Sequence, residues 1–154
     1  MNKSFYTITD TREVYAWNLY DPSILGNETI KLDTGDYSIR GLEDKFTIDR
    51  KMTVSEIAQN INQKRFYREL ERMKSIPLSY ILLECSLEDI QGFPQTANLP
   101  PKVKNKIRTN GNYILKKIEQ MKEEYGVLVY YCINRQIAED IAIRLMKEAI
   151  KIYG

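Results

Sequence analysis

The chain has no histidine. That excludes a histidine general base, a Ser-His-Asp triad and any zinc or iron site built on imidazole. Only two cysteines occur, Cys85 and Cys132, each at the end of an apolar run, and no Cys-x-x-Cys pair exists. They read as small core residues of a reducing compartment and not as a disulfide or a metal pair. No apolar run reaches the length of a membrane span, and the N-terminus MNKSFYTITD lacks the apolar core of a signal peptide. A cytoplasmic protein without membrane association is therefore expected. Repeats, low-complexity tracts and linkers are also missing, so the 154 residues are expected to form one domain. Any chemistry must rest on carboxylates, lysine, tyrosine or a bound metal.

What is present is charge in clusters. The net charge of +2 says little by itself. Yet Lys64, Arg65, Arg68 and Arg72 fall within nine residues, and Lys102, Lys104, Lys106 and Arg108 within seven. Acidic residues gather elsewhere, as at Glu119, Glu123 and Glu124. Such clustering is the footprint of a phosphate-backbone binder, or, blandly, of solvated helix faces.

The stretch IKLDTGDYSIRGLEDKFTIDRK alternates apolar and polar residues on both sides of a turn. Ile30, Leu32, Tyr37 and Ile39 suggest one strand broken at Gly35, and Phe46 and Ile48 a second, with the turn over 41–45. A hairpin of this kind brings Asp36 and Asp49 side by side, with Lys51 two residues on and on the same face as Asp49. Two carboxylates and an ammonium are a known means of holding a hard divalent cation and an attacking water.

Along the rest of the chain, Phe5 to Thr9 reads as a first strand. Pro22, Gly26 and Asn27 argue against a regular element over 17–28 beyond a turn or two. Thr53-Val54-Ser55-Glu56 is a capping box, and Glu56 is expected to serve as that cap and not as a ligand. One helix follows, with Ile57, Ile61, Phe66, Leu70 and Met73 on its apolar stripe and Lys64, Arg68 and Arg72 on another, ended by Pro77. LSYILLE, residues 78–84, reads as a strand buried on both faces. Its terminal Glu84 is either a surface residue or an outer partner of the metal site. Residues 86–101 read as a long functional loop, and a helix from about Lys102 to Tyr125 stops at Gly126. VLVYY is a further buried strand, and a last helix covers about 135–152. Ile143 lies off that helix's main apolar stripe, which suggests a dimer interface. The element order gives an α/β sandwich with a mixed sheet, antiparallel at the hairpin and parallel toward the C-terminus.

The runs GDYSI, FTIDRKMTVSEIAQNI, KRFYRELERM and PLSYILLEC, in this order, resemble the nuclease domain of the XPF/Mus-type structure-specific endonucleases. That family carries G-D-x(n)-E-R-K-x(3)-D, and Asp10-Thr11-Arg12-Glu13 looks like its D-x-R-E segment. Two departures stand out: Asp49 replaces the family's Glu, and Ser55 sits where the trailing Asp falls, with Glu56 beside it. The resemblance implies a restriction-endonuclease-like three-layer α/β/α fold with a central mixed β-sheet. It also implies a magnesium-dependent endodeoxyribonuclease, manganese substituting, acting on branched or structured DNA.

On this reading Asp36 and Asp49 are metal ligands with the Arg50 carbonyl as a third, and Lys51 orients or deprotonates the attacking water. Glu13 is a further catalytic carboxylate, carried over from the D-x-R-E match. Arg50, Lys64, Arg65, Arg68 and Arg72 are expected to contact DNA, with pairing to a carboxylate as the alternative to phosphate contact for Arg50 and, at least equally, for Arg12. Relatives append helix-hairpin-helix or helicase domains, and neither is expected here. DNA-structure recognition then falls to a homodimer or a partner subunit. The alternative function is a catalytically silent DNA-binding or scaffolding subunit of the same fold.

Overall fold

The computed structural model describes residues 3–154; Met1 and Asn2, the first two residues of the stretch read for a signal peptide, lie outside it. The strands are β1 Phe5–Thr9, β2 Ile24–Thr29, β3 Tyr37–Ile39, β4 Phe46–Lys51, β5 Leu78–Leu83 and β6 Val127–Tyr131. The helices are α1 Val54–Asn60, α2 Lys64–Lys74, α3 Leu87–Gln91, α4 Pro101–Lys104, α5 Gly111–Tyr125 and α6 Arg135–Tyr153. The strands form one sheet in the order β2-β1-β3-β4-β5-β6. Around the hairpin β1, β3 and β4 are antiparallel, while β4, β5 and β6 are parallel, as expected.

Strand alternation separates two cores. Ile81 and Leu83 of β5 face a layer of α1, α2, α3 and α5, through Ile57, Leu70, Ile90 and Ile118. Tyr80 and Leu82 face α6 and the segment around Trp17, through Ala142, Met146 and Leu19. The chain is thus a three-layer α/β/α sandwich with a central mixed sheet. Cys85 and Cys132 are free and buried. No helix among the described residues is long and apolar enough to cross a membrane.

Several elements differ from expectation, each for a local reason. Residues 24–29 form a strand, not a turn, because an edge strand needs only β1 as a partner and tolerates Gly26-Asn27. The hairpin's first strand is only three residues long, and 30–36 is a loop pinned by buried Leu32. The helix after the capping box is two helices. The five-residue step from Ile61 to Phe66 cannot hold one stripe, and the chain breaks over 61–63. In the same way Asn110 caps a fresh helix, α5, by accepting from the Tyr113 amide at 3.0 Å. The 86–101 loop contains α3, opened by a Ser86–Asp89 capping box. β6 is a half-buried edge strand and not one buried on both faces. On α6, Ile143 packs partly buried against the core, so much of the apolar surplus read as an interface is taken up within the chain.

Candidate active site

The end of the sheet where β3 and β4 meet holds the charged residues. Asp36 sits just before β3. Its amide donates to the Ile48 carbonyl at 2.8 Å, and its own carbonyl accepts from the Asp10 amide at 2.8 Å. The turn that delivers it requires Gly35: φ is +77°, and a Cβ there would run into Thr47 Oγ1. Glu69 of α2 fastens the same turn by accepting from the Gly35 amide at 2.8 Å. On β4, Asp49 and Lys51 share one face. Their side chains meet at 2.9 Å and are about nine-tenths buried.

These residues line a cleft of about 330 Å³ with Asp10, Arg12, Asp33, Glu56, Arg65, Glu69 and Arg72. Burial, then the charge of Asp49, pushes the Asp36 carboxyl up to about 9, although the Arg50 amide donates to its Oδ2 at 2.7 Å. Burial alone would depress Lys51, but the charge of Asp49, its hydrogen bond and Glu56 override that and raise it. Lys51 is therefore a cation at neutral pH. The Asp49 Oδ2 atom is buried, with the Lys51 ammonium 2.9 Å away. Two carboxylates sharing one cleft, one of them, Asp36, reluctant to ionise without a nearby cation, fit a hard divalent ion. Among the described residues no group of three or more His, Cys, Asp or Glu has metal-holding geometry.

The expected site residues divide by position. Asp36, Asp49 and Lys51 are brought together. Arg50 is not available to DNA: strand alternation sends it to the opposite face, where its side chain is 1% exposed. There it pairs with Glu84 at 2.7 Å, reaches Glu13 at 3.4 Å and donates to the Tyr15 carbonyl at 2.8 Å. Its guanidinium thus leaves the phosphate-contact set. Glu13 turns to Arg50 and the Tyr37 hydroxyl, and does not line the cleft. Glu84, which also accepts from Trp17 Nε1 at 2.6 Å, is neither a surface residue nor a cleft residue. Thr53 caps α1, its Oγ1 accepting from the Glu56 amide at 3.2 Å, while the Glu56 carboxylate reaches past the expected Thr53 amide to that of Met52 at 2.8 Å and also lines the cleft. Of the expected stripe Lys64, Arg68 and Arg72, only Arg72 lines the cleft, joined there by Arg65 from outside the stripe, while Lys64 and Arg68 are exposed.

Two residues had been given no role. Asp10 is 2% exposed, accepts from the Leu32 amide at 2.7 Å and pairs with Arg12 at 2.9 Å. Its carboxyl lies below the usual range because these hydrogen bonds outweigh the effect of burial. A strand-terminal acid within the D-x-R-E segment was its signal. Glu69 carried none, since nothing in a charged helix face marks a contact to a distant turn.

No family model and no curated protein matches the chain. Two solved structures do resemble it: "XPF from Aeropyrum pernix", with a TM-score of 0.67 and 15% identity, and "XPF from Aeropyrum pernix, complex with DNA", with 0.66 and 16%. They cover 94% and 96% of this chain, which spans 64% and 66% of their own length. At such identity the likeness shows the fold. The chain has the restriction-endonuclease-like architecture of XPF, which the motif had implied.

Proposed function

We propose that the chain is a metal-dependent endonuclease that hydrolyses phosphodiester bonds in branched or otherwise structured DNA. The observation that carries this reading is the half-buried Asp36 and the buried Asp49, held with Lys51 in one cleft rimmed by Arg12, Arg65 and Arg72. Asp36 and Asp49, with the Arg50 carbonyl, would hold magnesium or manganese. A bound ion of this kind supplies a Lewis acid for the phosphoryl oxygen and acidifies a coordinated water. Lys51 beside Asp49 would orient or deprotonate the attacking water and donate to a phosphate oxygen. Arg12, Arg65 and Arg72 neutralise and align the backbone of the strand to be cut. The complex of XPF from Aeropyrum pernix with DNA, a protein whose fold this chain shares, supports DNA as the partner. In this reading a homodimer or a partner subunit supplies recognition of the branch. Sedimentation of the wild type and Ile143→Glu tests the homodimer, which a monomer at every concentration would remove.

The purified chain is incubated with flap, fork, nicked and linear DNA in magnesium, manganese or EDTA. Cleavage in either metal, absent in EDTA and in Asp36→Asn and Asp49→Asn, is expected. Lys51→Ala should lose turnover but keep its DNA affinity. A catalytically silent DNA-binding subunit is the second reading, because Lys51 already neutralises the shorter carboxylate Asp49 at 2.9 Å. Tight DNA binding without cleavage of any substrate would select it.

A further inference from the structure

Between Asp89 and Glu119 the sequence contains no acidic residue but six cations: Lys102, Lys104, Lys106, Arg108, Lys116 and Lys117. The structure gathers much of this charge on one surface. Leu99 and Ile107 anchor the α4 segment against the helical core, which leaves Lys102, Lys106 and Arg108 exposed. Asn62 Nδ2 donates to Thr109 Oγ1 at 3.2 Å, joining this segment to the break between α1 and α2, two residues before Lys64. The N-terminal ends of α2 and α5 meet at this junction, and neither has an acid in its first turn. Their helix dipoles therefore add to the positive field. The acids of the same two helices lie further along: on α2 Glu69 turns into the cleft and Glu71 follows, and on α5 come Glu119, Glu123 and Glu124, with Glu71 and Glu124 facing Tyr125. Charge is thus polarised along the layer. An exposed aromatic interleaves it, Tyr113, with Lys117 Nζ 5.4 Å from its ring centroid.

On α2, Arg65 and Arg72 turn into the carboxylate cleft while Lys64 and Arg68 continue outward. A cationic band therefore runs from the cleft, around the start of α2, to α4. We propose that Lys102, Lys106 and Arg108, continuing the band from Lys64 and Arg68, dock the phosphate backbone of a duplex arm leading away from the cleft. The inference rests on the reading of the chain as DNA-acting and adds a second contact surface to it. Its cations carry no base-edge specificity beyond charge, so the contact is sequence-independent and strongly salt-dependent. It requires no metal and no chemistry.

Fluorescence anisotropy on linear duplex in EDTA, over a range of salt, tests it without cleavage. The triple variant Lys102→Gln, Lys106→Gln, Arg108→Gln should lose roughly 0.9 from the salt slope for each of its three phosphate contacts. Lys122→Gln, at the acidic end of α5, should keep the wild-type slope. An unchanged slope in a triple variant that melts like the wild type would overturn the proposal. So would a wild type that binds phosphatidylserine vesicles as tightly as duplex, or one that binds no duplex. A wild type that binds with a steep slope lost in the triple variant, yet cuts nothing, supports this surface and sinks the nuclease reading alone.

Discussion

A carboxylate buried beside another resists ionisation, and for Asp36 the effect has a sign in stability. With the group pushed up to about 9, the folded state holds the proton more tightly than the unfolded state, whose reference is 3.8. The unfolded chain thus binds fewer protons between these values. The contribution is complete below the unfolded value and is lost as pH rises through the folded one. In EDTA the melting temperature should fall between about pH 5 and pH 9. Asp36→Asn should flatten the fall, and a divalent cation should restore stability at the alkaline end by competing with the proton. Calorimetric scans of both proteins across this range check it; equal pH dependence would clear Asp36. Behind the site, the Arg50–Glu84 pair predicts a different response. Glu84→Ala leaves the guanidinium short of its closest partner, with side chains 1% and 7% exposed, so a loss of about 3–5 kcal/mol is expected in urea unfolding. Lys51 and Asp49 were legible from their spacing. Arg50 was read as contacting either phosphate or a carboxylate, and the period of the strand, which turns it away from Asp49 and Lys51, decides for the carboxylate. Glu69 was illegible, since its partner Gly35 is 34 residues distant and no local pattern links them.

At the scale of elements, sequence periodicity located β1, β4, β5 and α6 well, because each buries a regular face. It ran two helices together wherever a break was short. It also missed β2, whose single neighbour demands little of its residues. The segment joining β1 to β2 could not be read from pattern at all, because long-range hydrogen bonds hold it. Tyr15 there has φ +58° and is 72% exposed, with its carbonyl taking donors from Arg50 at 2.8 Å and Arg135 at 2.9 Å. A left-handed backbone costs a residue with a Cβ about 1–2 kcal/mol. Two variants that both remove the ring separate that cost from the loss of the side chain. Tyr15→Gly should be more stable than Tyr15→Ala by about 1 kcal/mol, the reverse of their order in a helix. Urea denaturation of the pair measures it, and an Ala variant equal to Gly would show that the segment does not hold this conformation in solution.

At the scale of the whole molecule, two cores suggest two separate melting units, yet they share their strands. In β5, Ile81 and Leu83 belong to the α1, α2, α3 and α5 side, while Tyr80 and Leu82 belong to the α6 side. Losing either helical layer strips one face of a strand that the other layer needs, so the sheet couples them. The chain supplies a convenient reporter, because its one tryptophan, Trp17, stacks on Tyr37 at 4.4 Å within the α6-side core. Leu70→Ala lies in the opposite core, on α2, and should cost about 2–5 kcal/mol by opening a cavity. If the domain unfolds as a unit, that distant change should lower the urea midpoint of Trp17 fluorescence as much as that of far-UV circular dichroism. Met146→Ala on α6, in the same core as the tryptophan, should likewise move both probes together. A fluorescence midpoint that stays in place while the dichroism of Leu70→Ala shifts would mean that the α2 layer can leave a still-folded sheet. The cleft, which draws Asp36 and Asp49 from the sheet but Arg65, Glu69 and Arg72 from α2, would then come apart before the domain does.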